Sequence, residues 1–173
     1  MRMSGPVSRP AVIINFKAYP EVEGTKALDI ARACERVTEE TGRTIAVCPP
    51  VAELGYVARS VKVPVLSQNV DPRAPGSATG WMTPSMVKAT GAVGTLLNHS
   101  EHQVPVDVIE ECLELSKGAG LVTVVCANTV HDATVIAHHN PDFIAVEPPD
   151  LIGGDISVTT ANPQIVENTV EAV

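Results

Sequence analysis

At 173 residues, 45% of them apolar, and with a mean hydropathy of +0.15, the chain is long enough to bury a substantial core and suits a single domain. A net charge of −8 without any Lys/Arg cluster excludes a nucleic-acid-binding surface, because nothing is there to neutralise phosphates. No segment approaches the ~18 apolar residues of a membrane span, and MRMSGPVSRP at the start lacks an apolar leader core, so no membrane partner and a cytoplasmic location are expected.

Ala11 to Ile14 is the first apolar run, the length of a buried parallel strand, and it releases into Asn15, Phe16 and Lys17. From Thr25 to Glu40 the apolar positions Ala27, Ile30, Ala31, Cys34 and Val37 recur at steps of three and four, which predicts a helix with one buried face, ended by Gly42. Thr44 to Cys48 is a second strand closed by Pro49 and Pro50, and Val51 to Ser60 a short helix. Val63 to Ser67 is a third strand with Gln68 and Asn69 at its tip. Residues 71–80, DPRAPGSATG, hold two prolines and two glycines and form the longest loop. Val93 to Leu97 is a fourth strand, followed by Asn98, His99, Ser100 and Glu101. Pro105 suits the first turn of a helix whose apolar face is Val108, Ile109, Cys112, Leu113 and Leu115 and which Gly118 stops. Leu121 to Cys126 is a fifth strand, with Asn128 beyond its tip. A short helix around His131–His139 leads to a sixth strand at Phe143–Val146. Asn162 and Pro163 cap and start a last helix with Ile165, Val166, Val170 and Val173 facing inward.

These are six strand-then-helix units of about 26 residues, each strand reading as buried on both sides, and they predict an α/β fold with a parallel sheet, open and doubly wound or closed as a barrel. With 3% aromatics the core must be Val, Ile, Leu and Ala. No GxGxxG or GxxxxGK[ST] follows a strand, which removes the usual nucleotide signature of the open forms. Cys34, Cys48, Cys112 and Cys126 form no CxxC pair and sit in apolar runs, so they read as reduced core residues rather than metal ligands or disulfides. No cofactor is called for.

Chemistry gathers at the strand ends. Asn15 and Lys17 follow the first strand, His99 and Glu101 the fourth, and Glu147 the sixth, so a barrel would bring them together at its carboxyl-end face. His99 and His102 flank Glu101 without the spacing of a helical metal motif, and no metal is expected. After Glu147, Pro148 and Pro149 stiffen the chain and Gly153 and Gly154 loosen it, the layout of a lid that excludes water while a base moves a proton. The plainer reading of Glu147 is an acidic residue opening a solvated loop.

The segments NFKAY (15–19), SQNVD (67–71), GSATG (76–80), LLNHSEH (96–102), VVCANT (124–129) and AVEPPDLIG (145–153) resemble, in order and spacing, the triosephosphate isomerase family in its shorter archaeal form. The resemblance implies a TIM (β/α)8 barrel and interconversion of dihydroxyacetone phosphate and glyceraldehyde 3-phosphate through an enediolate. It makes Glu147 the base and His99 the group that polarises the carbonyl. Lys17 becomes a fixed cation beside the oxygens and phosphate, positioned by Asn15. Glu101 and Ser100 support His99, and residues 148–154 form a lid offering the amide of Gly153 to the phosphate. It further implies a homodimer or homotetramer in which loop 71–80, through Thr79, docks at a neighbour's site. Asn98 and His102 depart from the Gly and Arg common beside His-Ser-Glu, and Gly154-Asp155 from the usual Thr-Gly. Eight units of about 26 residues need roughly 210, so about six units are expected here, residues 1–173 forming one barrel domain without strands seven and eight. The competing reading is a non-catalytic barrel fragment or assembly subunit that keeps the site residues without a complete phosphate site. An aldolase on the same scaffold is disfavoured, because no lysine lies inside a strand where a Schiff-base amine would be desolvated.

Overall fold

The computed structural model describes residues 6–147 and 162–173. Six strands alternate with helices: β1 (Ala11–Asn15), α1 (Thr25–Thr41), β2 (Thr44–Cys48), α2 (Leu54–Ala58), β3 (Leu66–Ser67), α3 (Pro84–Ala89), β4 (Gly94–Leu97), α4 (Val106–Gly118), β5 (Val122–Ala127), α5 (Val130–Ala137), β6 (Phe143–Val146) and α6 (Pro163–Ala172). All pairings are parallel, with Asn15 level with Cys48, Ser67 with Thr95, Leu97 with Val125 and Ala127 with Val146. A single bridge from Val47 to Val65 joins the β1–β2 pair to the β3–β4–β5–β6 sheet. Each strand therefore lies beside its neighbour in sequence. A doubly wound sheet would reverse its order at a switch point, whereas this consecutive order builds the wall of a barrel.

Side chains of period two divide this wall into two apolar layers. Ala11, Ile13, Ala46, Cys48, Leu66, Leu96, Val124, Phe143 and Ala145 pack together on the face away from the helices. Ile14, Ile45, Val47, Val65, Leu97, Val125 and Ile144 pack instead with Ala27, Ala31, Leu54, Val57, Ile109, Leu113 and Ile136 of the helices. Burial on both faces is why the inner strands read as continuous apolar runs. Gly94 permits the close spacing of the inner layer, since a Cβ there would lie 2.5 Å from the Val122 carbonyl oxygen and 3.2 Å from Leu66 Cγ.

Several expectations are corrected. β1 and β6 are half-buried along most of their length, not buried on both sides, because each has a paired neighbour on one edge only among the described residues. β3 is two residues long, since Pro64 has no N–H to donate to a ladder; its carbonyl still accepts the Val47 N–H at 3.0 Å. Val37 in α1 is 43% exposed, and Val170 and Val173 in and after α6 are 75% and 57% exposed. Thr169 is the buried residue of α6, its hydroxyl turned back onto the Ile165 carbonyl. Pro105 is the N-cap of α4 rather than part of its first turn, and α2 spans half the expected range. Helix α3 is an addition: Thr83 caps it by accepting the Met86 N–H, and Pro84 sits at its first position. Among the described residues no helix is long and apolar enough to cross a membrane.

Candidate active site

The carboxyl ends of the strands carry the polar residues. Asn15, the last residue of β1, turns its Oδ1 onto the N–H of Lys17 at 2.9 Å. Lys17 adopts φ 54, a left-handed conformation that costs a non-glycine residue about 1 kcal/mol. Its carbonyl is held from the other side by Gln68 Nε2 at 2.8 Å, and the same amide donates to the Cys48 carbonyl at 3.0 Å. Asn15 from β1 and Gln68 from beyond β3 thus clamp the lysine backbone in a conformation it would not adopt alone. Sequence marks Gln68 only as a polar strand tip; the signal it offers is an amide just past a buried run, where a carbonyl leaving the ladder must find a donor.

From that backbone the Lys17 ammonium reaches Glu101 Oε1 at 2.9 Å. With the two side chains 21% and 56% exposed, the pair is worth at most about 1 kcal/mol; its consequence is position. Glu101 belongs to the turn after β4, closed by the His102 N–H on the His99 carbonyl at 2.7 Å. The Glu101 N–H donates to His99 Nδ1 at 3.1 Å, while the Glu101 carboxylate stays 3.6 Å from that nitrogen. An imidazole nitrogen that accepts from an amide carries no proton, so the neutral ring keeps its proton on Nε2. His99 is 8% exposed, and Nε2 stands 3.5 Å from Glu147 Oε2.

Glu147 leaves β6 with its N–H on the Ala127 carbonyl at 2.8 Å, which continues the β5–β6 ladder by one bond and fixes where the carboxylate starts. Its Oε2 is buried and has no hydrogen-bond partner among the described residues. Beneath it, Cys126 is held as a thiol: burial first, and then the charge of Glu147, push its pKa well above the usual range. A hollow of about 500 Å³ opens beside these groups, lined by Asn15, Lys17, Gln68, His99 and Glu101, with Gly80 and Met82 of the long loop at its rim. Glu147 is not part of that lining and meets it through His99.

Asn15, Lys17, His99, Glu101 and Glu147 are brought to one end of the wall, as the strand-end pattern anticipates. Ser100 lies in the turn and its side chain makes no hydrogen bond among the described residues, and Thr79 is exposed on the loop. Gly153 and the whole lid segment 148–154, with Asp155 after it, lie outside the described residues. Among the described residues no three His, Cys, Asp or Glu side chains converge on a metal position. What the arrangement can do is limited and specific: a carboxylate with an open lone pair, a neutral imidazole N–H beside it, and a lysine cation across the hollow suit moving a proton while an oxyanion develops.

The family model described as triosephosphate isomerase matches residues 10–173. The triosephosphate isomerase of Methanobacterium bryantii is 46% identical over 164 residues, covering 95% of this chain and 73% of that protein. That of Methanocaldococcus jannaschii is 43% identical over 162 residues, covering 94% and 74%, and that of Methanopyrus kandleri 45% over 166 residues, covering 95% and 74%. The chain thus spans about three quarters of the length of these curated relatives. Among solved structures, triosephosphate isomerase from Bartonella henselae superposes with a TM-score of 0.61 at 20% identity, covering 76% of this chain and 60% of that one; at such identity the likeness speaks for the barrel fold. With the family match running through nearly the whole sequence and archaeal relatives above 40% identity, the chain belongs to the triosephosphate isomerase family.

Proposed function

We propose that this chain interconverts dihydroxyacetone phosphate and glyceraldehyde 3-phosphate, with Glu147 as the base that moves the proton between adjacent carbons and His99 Nε2–H as the donor to the enediolate oxygen. Lys17 supplies fixed positive charge to the oxygens and the phosphate, and Asn15 and Glu101 set its backbone and its ammonium. The observation that carries this reading is the pairing of Glu147 Oε2, without a hydrogen-bond partner among the described residues, with a His99 ring whose Nδ1 is occupied by the Glu101 N–H. A base needs a free lone pair, and an electrophile needs a fixed proton. Gly153 is assigned to the phosphate by family resemblance.

The protein works as a homodimer or homotetramer in the cytoplasm. Free, buried cysteines suit a reducing compartment. Loop 71–80 is supported as a docking element by its closed base, where the Asp71 N–H meets the Met82 carbonyl at 2.8 Å and the Asp71 carboxylate accepts the Met82 N–H. Val51, 62% exposed, lines the hollow, and the exposed Tyr19 and Trp81 follow the lining residues Ala18 and Gly80 in sequence. A coupled assay of triose phosphate interconversion by the purified protein, with Glu147→Gln as control, tests the activity; equal rates for the two proteins would discard the assignment.

A further inference from the structure

We propose that Asn98 is a positioning residue of this site, holding His99 in register with Glu147 through the end of β5; the inference rests on the functional reading above. Asn98 is the residue between β4 and His99, and it adopts φ 59, a left-handed conformation that redirects the chain as the imidazole leaves the strand. Both ends of its side-chain amide are used. Nδ2 donates to the Cys126 carbonyl at 2.9 Å, and Oδ1 accepts the Val104 N–H at 3.0 Å. The first bond ties β4 to β5 one residue before the carbonyl of Ala127, which receives the Glu147 N–H at 2.8 Å. The two reacting groups are therefore joined by a short chain of contacts: His99 follows Asn98 in sequence, Asn98 is bonded to β5, and β5 is bonded to Glu147. The second bond draws the far side of the 98–104 loop back onto its start, and within that loop lie the bond from His102 N–H to the His99 carbonyl and the bond from Glu101 N–H to Nδ1.

Asn98 does not line the hollow that holds Lys17 and His99. It faces a second one, of about 400 Å³, between α4 and α5. It touches no reacting group and acts through the backbone. The leverage is large because misplacing a reacting group by about 1 Å can cost on the order of a hundredfold in rate.

Two variants separate the bonds. Asn98→Gly keeps access to the left-handed backbone and loses both side-chain bonds. Asn98→Asp keeps an acceptor for the Val104 N–H and sets a carboxylate oxygen against the Cys126 carbonyl. The expected result for both, assayed below their melting temperatures, is a fall in kcat of about ten- to a hundredfold with KM within about twofold. In proteins labelled with ¹⁵N at histidine, the single Nε2–H tautomer of His99 should give way to a mixture. That signature is read in the folded protein whether or not it turns over, and a purely structural role would lower the melting temperature without moving it. The inference is overturned if both variants keep kcat within about twofold and an unchanged His99 spectrum. It is also overturned if Asn98→Asp matches wild type while Asn98→Gly does not, since the Val104 bond alone would then suffice. Failure of the functional reading looks different: Glu147→Gln would retain full turnover whatever Asn98 does.

Discussion

His99 presents its Nε2 to Glu147 Oε2 at 3.5 Å while its Nδ1 is capped by the Glu101 N–H at 3.1 Å. The two contacts assign different duties to the two ring nitrogens. A proton on Nδ1 would sacrifice the amide bond, so the neutral ring carries its proton on Nε2, toward the carboxylate and the hollow. A substrate placed between them would take the N–H on its oxygen and give its carbon-bound proton to Glu147.

Glu147→Gln would remove the proposed base and keep the shape. The β5–β6 bond made by its N–H survives, so the fold should be retained with turnover nearly abolished. Steady-state kinetics checks this; a variant within about tenfold of wild type, only about 1.4 kcal/mol of barrier, would rule out Glu147 as the base.

The neutral ring of His99 should be the Nε2–H tautomer, because its Nδ1 accepts the Glu101 N–H. Histidine-selective ¹⁵N spectra of the folded protein should show the proton of the neutral His99 ring on Nε2 and a bare Nδ1. A ring carrying its proton on Nδ1 would contradict the acceptor role of that nitrogen.

Gln68→Ala tests the clamp on Lys17. It strips a donor from the Lys17 and Cys48 carbonyls while the lysine keeps φ 54 only through Asn15. The expected cost is about 1–3 kcal/mol of stability, with kcat/KM lowered about tenfold or more as the ammonium loses its fixed origin. Urea denaturation and kinetics measure the two separately. A variant that loses stability and no activity would leave Gln68 a packing residue only.

Much of this site is legible along the chain because each candidate residue follows an apolar run, and parallel strands in consecutive order deliver all such residues to one end. Asn15, Lys17, His99, Glu101 and Glu147 are found in that way. Gln68 and Asn98 are not, because their partners, Lys17 and Cys126, lie 51 and 28 residues away and only the register of the wall brings them near. The helix ending the chain misleads for a related reason. Its apolar positions promise a wide buried face, yet Val170 is 75% exposed, since periodicity states which residues share a face and not whether anything covers it. Helix α3 is short enough that only its Thr83-Pro84 start announces it.

The cysteines give a prediction in pH. Burial raises the Cys48 thiol from 9.0 to about 12, and burial, then Asp71 and Glu111, raise Cys112 to about 12. A thiolate-specific reagent at pH 8 should therefore find no fast-reacting cysteine in the folded protein and four in urea. Because these pKa values lie above the unfolded value, the folded state binds more protons between pH 9 and 12. The stabilisation is complete below pH 9 and is lost as pH rises toward 12. A Cys48→Ala/Cys112→Ala double variant should lose stability less steeply over that window; an identical slope would refute the linkage.

The loop from Asp71 to Gly80 is the element on which the proposed assembly turns. Its base is closed by the Asp71–Met82 bonds, and the Arg73 guanidinium stacks 4.7 Å from the centroid of the Trp81 ring, so the protrusion is held in shape by its own contacts. A preformed loop loses little entropy on docking, and Thr79 stands exposed on it beside the hollow that Gly80 rims. By its family resemblance, a two-fold contact through this loop would bring each copy's Thr79 to the other's Asn15 and Lys17. Replacing residues 73–78 with a short glycine turn should therefore dissociate the oligomer and cut turnover, while leaving the Asp71–Met82 closure and the β3 and β4 register intact. Sedimentation at micromolar concentration reads the first effect and kinetics the second. A wild-type protein that sediments as a monomer, or an oligomer indifferent to the replacement, would remove the loop from the interface.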